Sequence, residues 1–95
     1  VSLVDFKFNT KKNITIEKLN YKFQEYANSS LKGILGVDID PKVSSDYNHD
    51  ARSSILDLSE TTTVSDNFGR VLTWYDNEWG FSNRMLETTA QVCNL

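Results

Sequence analysis

A segment with apolar residues on both faces runs almost directly into a helix near the end of the chain. Residues 69–75 include Val71, Leu72 and Trp74, so neighbouring side chains on opposite faces are apolar. A strand of this kind is covered on both faces, which is typical of the interior of a sheet. A helical pattern follows at 77–92. The chain must therefore build a sheet around 69–75 and place a helix at the end of that strand.

The helix predicted over 77–92 is apolar on two sides. Asp76 or Asn77 is suited to cap its first turn, and Glu78 favours the positive end of the helix dipole. We expect the sheet to cover one side of the helix and residues outside this chain to cover the other. The two apolar stripes are Trp79, Leu86 and Cys93, and Phe81, Met85 and Val92.

The rest of the chain alternates between strand and helix patterns. Val4, Phe6 and Phe8 alternate with polar or smaller neighbours, which predicts a first strand with one buried face. An apolar helical face begins at Ile16, and Thr15 is a plausible N-cap. Strands are also predicted at 32–37, 53–58 and 60–64, and the acidic segment 38–50 is predicted to be turns. The pattern indicates an α+β fold with a largely antiparallel mixed sheet and two helices.

Composition narrows the function. With 95 residues the chain is long enough for one small domain. The net charge of −3 argues against general binding of nucleic acid, and no apolar run approaches the ~20 residues of a membrane span. No secretory signal is recognisable at the start of the sequence, so the expected compartment is the cytoplasm.

Cys93 is a single cysteine and is interpreted as a small packed hydrophobe. His49 is interpreted as a hydrogen-bonded loop residue rather than a ligand, so no metal site is predicted.

The most informative string is residues 74–84, Trp-Tyr-Asp-Asn-Glu-Trp-Gly-Phe-Ser-Asn-Arg. A polar Asp-Asn-Glu corner lies between two tryptophans where the strand meets the helix. Gly80 lowers helix propensity by about 1 kcal/mol and permits the close approach of another group. The residues alone leave two interpretations open, a ligand-binding corner and simple packing.

Several blocks of the chain resemble one enzyme family. They are Val-Ser-Leu-Val-Asp-Phe at 1–6, Leu-Lys-Gly-Ile-Leu-Gly at 31–36, Val-Ser-Ser-Asp-Tyr-Asn at 43–48, Ser-Ser-Ile-Leu-Asp at 53–57 and the eleven residues 74–84. In this order they resemble the C-terminal part of the catalytic domain of phosphorylating glyceraldehyde-3-phosphate dehydrogenases. The resemblance covers residues 1–95 and implies that the N-terminal dinucleotide-binding domain is absent from this chain. Asn-His-Asp at 48–50, Phe81 and residues 84–89 are similar to the sister erythrose-4-phosphate dehydrogenases.

The resemblance implies an NAD-dependent glycolytic enzyme. Its members attack an aldehyde with a cysteine thiolate, transfer hydride to NAD and release the thioacyl group to phosphate. The motifs for the nucleophilic cysteine, the general-base histidine and the phosphate-binding arginine are not among these residues, so no catalytic residue is assigned and the isolated chain is expected to be inactive. By resemblance Asn77 binds the nicotinamide carboxamide, and the ring of Phe81 lies near the nicotinamide.

The resemblance also implies partners. A sugar-phosphate aldehyde and inorganic phosphate would be the substrates of the full-length enzyme, which we expect to be a homotetramer. We expect Val4, Phe6 and Phe8 to pack under the helices of the domain, which would turn Leu3, Asp5 and Lys7 towards a neighbouring subunit. Two alternatives remain: an erythrose-4-phosphate dehydrogenase fragment, and a non-enzymatic interaction module that retains the fold.

Overall fold

The computed structural model describes residues 1–94, which form four strands, two α-helices and one short 3-10 helix. The strands are β1 (Ser2–Asn9), β2 (Leu35–Asp38), β3 (Ser54–Ser65) and β4 (Phe68–Tyr75). The α-helices are α1 (Ile16–Ala27) and α2 (Trp79–Val92), and the 3-10 helix is Ser44–Tyr47. The predicted α+β class with two helices is confirmed.

The four strands make one mixed sheet in the order β1-β4-β3-β2. β4 pairs antiparallel with both β1 and β3, and β2 pairs parallel with β3. The two-sided apolar pattern of residues 69–75 correctly predicted an interior strand. Because two of the three pairings are antiparallel, the sheet is largely antiparallel, as expected.

Two strand boundaries differ from the sequence prediction. The strands predicted at 53–58 and 60–64 are one continuous strand, β3, whose register to β4 shifts between Asp57 and Thr62. Between these two positions β3 contains more residues than β4, and an irregularity of the bulge type accommodates them, so the strand continues without a turn. The strand predicted at 32–37 begins only at Leu35, because Gly33 adopts a φ of +82° within a turn.

Helix α1 begins as predicted and packs on part of the sheet. The Thr15 hydroxyl accepts a hydrogen bond of 3.1 Å from the backbone N–H of Lys18. The helix lies over β2 and β3, where it closes the core. That core consists of buried Leu56, Leu58 and Val71, with partly buried Phe8, Phe23, Leu35 and Val37 packed against it.

The prediction that β1 buries one face was wrong for most of its length. Phe8 packs against the core, but Val4 is 40% exposed and Phe6 is 54% exposed. They line an open apolar cavity of about 400 Å³ that also borders Leu19 and Phe23 of α1. Because α1 lies over β2 and β3, it reaches only one end of this face.

The expectation that the sheet covers one side of α2 was also wrong. The helix leaves the end of β4 and contacts the loop before β3 and the turn before β2. Gly80 lies against the backbone of Arg52 and Ser53, and Arg84 reaches the carbonyl of Gly33. One guanidinium nitrogen of Arg84 donates to the hydroxyl of Ser53 at 3.2 Å. The apolar side chains further along the helix are exposed, and so is Cys93, which was expected to be packed.

Candidate functional site

The candidate site is the corner at which β4 turns into α2. The carbonyl of Asp76 accepts a hydrogen bond of 2.8 Å from the N–H of Trp79, which closes a tight turn. Asn77 lies inside this turn with a φ of +31°. Asparagine enters this left-handed region more readily than most residues, because its short side chain fits beside the backbone. The turn leaves Asn77 exposed at the tip of the corner.

The predicted helix cap is not formed. The N-cap position of α2 is Glu78, and it makes no side-chain capping bond. The carboxylate of Asp76 is turned away from the helix and accepts a hydrogen bond of 2.8 Å from the backbone N–H of His49. Asp76 is 7% exposed, so the carboxylate is buried with this partner. Asp76 therefore ties the corner to a second loop instead of capping the helix.

The loop that carries His49 forms the opposite wall of the site. His49 has a φ of +64°, and its ring centroid lies 5.6 Å from that of Trp79 at an angle of 45°. We expected a hydrogen-bonded histidine, and the hydrogen bond is made by its backbone while the imidazole packs against the indole. The two walls border an open cavity of about 370 Å³. It is lined by Asn48, His49, Asp76, Asn77, Glu78, Trp79 and Ser82.

Two interactions hold this loop in place from the sheet side. Tyr47 stacks on Trp74 of β4 with ring centroids 5.5 Å apart, and its hydroxyl donates to Asp38 at 2.6 Å. Burial, together with this hydrogen bond to a carboxylate, raises the pKa of the Tyr47 phenol. The phenol therefore remains a protonated donor at neutral pH.

An ion pair closes the other end of the same loop. The guanidinium of Arg52 binds the carboxylate of Asp50 through two contacts, of 2.9 and 2.7 Å, and the backbone N–H of Arg52 adds a third at 3.0 Å. Hydrogen bonding from this guanidinium holds the pKa of Asp50 below its usual range. The loop is thus fixed at Tyr47 and at Asp50, on either side of His49.

The structure brings some predicted residues together and separates others. Asn77 lines the cavity, but Phe81 lines a different depression on α2, with Arg84 and Met85. Within residues 1–94 no group of three or more His, Cys, Asp or Glu side chains could hold a metal ion. In the same residues no helix is long and apolar enough to cross a membrane.

The link between Asp76 and His49 was missed by sequence reasoning. The two residues are 27 positions apart, and no local pattern connects them. The available signal in the sequence was that Asp76 precedes an asparagine, Asn77, a residue type that tolerates positive φ and so favours a turn at this point.

The geometry fits an amide-bearing ligand at Asn77. Within the described residues the Asn77 side chain makes no hydrogen bond, and it faces the cavity with one donor group and one acceptor. A carboxamide such as that of nicotinamide presents the complementary acceptor and donor. The exposed amide of Asn77 could therefore pair with a carboxamide, and its binding of nicotinamide stays a prediction.

The sheet, the terminal helix and the polar corner are those of a dehydrogenase C-terminal domain. Residues 1–77 match the family model described as "Glyceraldehyde 3-phosphate dehydrogenase, C-terminal domain". Over all 95 residues the chain is 43% identical to the glyceraldehyde-3-phosphate dehydrogenase of Cereibacter sphaeroides and 44% identical to that of Xanthobacter flavus. Over 93 residues, 97% of the chain, it is 44% identical to the enzyme of Zymomonas mobilis.

The chain therefore belongs to the glyceraldehyde-3-phosphate dehydrogenase family. It spans 28% of the length of each of these three relatives.

Proposed function

We propose that the protein containing these residues is an NAD-dependent, phosphorylating glyceraldehyde-3-phosphate dehydrogenase that acts in glycolysis in the cytoplasm. Family membership supports the reaction class, and the exposed amide of Asn77 supports a direct role of this segment in cofactor binding. When bound, NAD accepts the hydride from the substrate. The nucleophile and the general base would lie in other parts of the protein.

The contribution of this chain to the reaction is to orient the nicotinamide ring of the cofactor. The Asn77 amide would hold the carboxamide of the nicotinamide and thereby select which face of the ring meets the substrate. Such alignment accelerates the reaction because less orientational freedom remains to be lost in the transition state. The observation that carries this role is the exposed Asn77 amide, which has no side-chain hydrogen bond within residues 1–94 and lines the cavity at the corner.

Replacing Asn77 in the full-length protein tests this role. Asn77→Ala would add backbone strain at a φ of +31°, so Asn77→Gly is the cleaner change: it removes the amide and tolerates the turn. The variant would leave the carboxamide of the bound nicotinamide without a hydrogen-bond partner. Such a loss costs about 1–3 kcal/mol where the group is shielded from water, so we expect NAD affinity or the hydride-transfer rate to fall roughly 5- to 150-fold. Calorimetric titration with NAD and stopped-flow measurement of NADH formation would measure these effects.

Asn83→Ala is the matched control for this experiment. Asn83 is also an asparagine of the corner region, but its side chain donates to the carbonyl of Trp79 within α2. We expect this variant to lose some thermal stability and to keep its NAD affinity. Wild-type NAD affinity and wild-type turnover in Asn77→Gly would contradict the cofactor role.

The substrate is tested with the full-length enzyme and two aldehydes. We expect NAD- and phosphate-dependent turnover with a higher kcat/KM for glyceraldehyde 3-phosphate than for erythrose 4-phosphate. The second candidate, an erythrose-4-phosphate dehydrogenase, is favoured by Asn-His-Asp at 48–50, because His49 of that block lines the cavity. The reverse preference would support it, and turnover of neither aldehyde would favour a non-enzymatic interaction module.

A polypeptide of only these 95 residues is expected to be inactive. Its one cysteine, Cys93, is exposed at the end of α2 and lies outside the cavity at Asn77. NADH formation should remain at background in the presence of aldehyde, NAD and phosphate. Turnover above background would show that the catalytic groups have been assigned to the wrong part of the protein. We also propose that the full-length enzyme is a homotetramer.

A further inference from the structure

Two residues with left-handed backbone conformations lie on either side of one buried carboxylate. Among residues 1–94, three residues other than glycine have positive φ: His49, Asn77 and Asn94. The first two are joined through Asp76, which accepts the N–H of His49 and directly precedes Asn77. Conformations of this kind cost free energy and persist where the surroundings impose them, often at functional sites.

The surroundings of Asp76 show how the conformation at Asn77 is imposed. The carboxylate is buried, and one oxygen, Oδ2, lies 2.8 Å from the backbone nitrogen of His49. The other oxygen, Oδ1, lies 3.7 Å from the nitrogen of Val1. The Asp76 carbonyl accepts the N–H of Trp79. The side chain of Asp76 is therefore bound to the loop at His49, and its carbonyl is bound to the first residue of α2. Asn77 lies in the turn that this second hydrogen bond closes.

The loop that receives the carboxylate is itself anchored at two points. Tyr47 anchors it to β4 by stacking on Trp74, and the bidentate ion pair of Asp50 and Arg52 anchors it on the other side of His49. A hydrogen bond from a backbone amide to an ionised carboxylate is stronger than one between neutral groups. The hydrogen bond from His49 thus connects a fixed loop to the turn that carries Asn77.

We propose that Asp76 is a positioning residue for the cofactor: through the N–H of His49 it fixes the left-handed backbone at Asn77, and so directs the Asn77 amide into the cavity. The inference rests on the proposed role of Asn77 in NAD binding. Asp76 borders the same cavity, but its side chain is almost fully buried and its carboxylate accepts the N–H of His49, so we assign it a positioning role and not a contact with the cofactor. Its effect on NAD binding should therefore pass through Asn77.

The test uses the full-length protein with Asp76→Ala, Asn77→Gly and the double variant. Loss of the Asn77 amide is expected to weaken NAD binding roughly 5- to 150-fold, and we expect Asp76→Ala, which only misplaces that amide, to raise the Kd for NAD about tenfold. In the Asn77→Gly background the same change should raise it less than about twofold, because residues that act through one another are not additive. A merely structural residue would instead give the same factor in both backgrounds.

Asp57→Ala is the matched control. Asp57 is a second carboxylate that is 7% exposed, and it bonds the backbone N–H of Ser59 at 3.1 Å, away from the cavity. We expect it to lower the melting temperature as Asp76→Ala does, with an unchanged Kd for NAD. If Asp76→Ala does not fold, Asp76→Asn retains an oxygen acceptor of the same size but loses the charge, and a rise in Kd of about threefold is expected, again only when Asn77 is present.

The outcomes distinguish the cofactor role of Asn77 from the positioning role of Asp76. A normal Kd in Asn77→Gly would overturn the cofactor role of Asn77 and, with it, the positioning role of Asp76. A weakened Asn77→Gly together with an unchanged Kd in the folded Asp76 variant would overturn the positioning role alone. An equal effect of the Asp76 change in both backgrounds would also overturn it, since Asp76 would then act independently of Asn77.

Discussion

Single polar residues decide the shape of the segment between β2 and β3. Asp38 accepts the hydroxyl of Tyr47 and an amine contact of 3.1 Å from Lys42, while Asp50 binds Arg52. These carboxylates are well shielded from solvent, since their side chains are 16% and 19% exposed. Ion pairs at such positions are screened less than pairs in full contact with water. Acidic side chains of this segment therefore bind groups of their own chain.

The pair of Asp50 and Arg52 predicts a dependence of stability on pH. The pKa of Asp50 is lower in the folded state, so the pair stabilises the fold above the unfolded carboxyl pKa of about 3.9, and this contribution is lost as the pH falls through the folded value. We expect Asp50→Asn to lower the urea midpoint at pH 7 and to differ progressively less from wild type as the pH is lowered below about 3.9. Asp66→Asn, at the exposed hairpin tip, serves as control. A difference that is constant across pH would contradict the assignment.

The elements of the fold meet through a few close contacts. The corner of β4 and α2 is the clearest case, because a Cβ at position 80 would lie 2.8 Å from the carbonyl oxygen of Arg52 and 3.1 Å from Cα of Ser53. Both neighbours are backbone atoms, which cannot rotate away. Gly80 therefore serves the docking of the helix despite its low helix propensity.

Gly80→Ala is predicted to destabilise the protein although it improves the helix. Alanine raises helix propensity by about 1 kcal/mol, but the steric conflict with the backbone typically costs about 1–3 kcal/mol and would move α2 away from the loop. Chemical denaturation would show a lower midpoint, and NAD binding should weaken because Asn77 lies in the turn that leads into the helix. Gln91→Ala, at an exposed position of the same helix, should change the midpoint little. Equal or higher stability in Gly80→Ala would disprove the close approach.

At the scale of the whole molecule, two apolar surfaces remain uncovered within the described residues. One is the sheet face at Val4 and Phe6, and the other is the row of Phe81, Met85 and Val92 on α2. The opposite face of β1 carries Leu3, which is 44% exposed, and the pair of Asp5 and Arg70. Surfaces of this kind usually mark contacts with other parts of a protein or with other subunits.

We predict that the full-length protein is a tetramer and that Leu3 lies in a subunit contact. Light scattering should give four times the subunit mass at micromolar concentration. Leu3→Glu should shift the mass towards smaller species, because a charge would be buried in the contact. Val64→Glu is the control: Val64 is 76% exposed on the β3–β4 hairpin and should leave the mass unchanged. A monomeric wild-type protein would contradict the tetramer, and a tetrameric Leu3→Glu would contradict the position of the contact.

Local patterns in the sequence were sufficient wherever the cause is local. The Thr15 cap, the periodicity of α1 and the interior position of β4 depend on neighbouring residues or on the apolar character of one segment, and each was predicted. Family membership also followed from the sequence, because the blocks at 1–6, 31–36 and 74–84 occur in a specific order. The cofactor-binding role of Asn77 was inferred from the same resemblance and stays a prediction.

The remaining features depend on residues that are distant in sequence. The bond between Asp76 and His49, the backbone that meets Gly80 and the exposure of Phe6 were decided by the tertiary structure. A carboxylate next to a helix can cap it or bind elsewhere at similar cost, and only the position of the second loop selects between these states. Likewise, an alternating strand specifies that one face is apolar, but only the placement of α1 over β2 and β3 determines which of those side chains are buried.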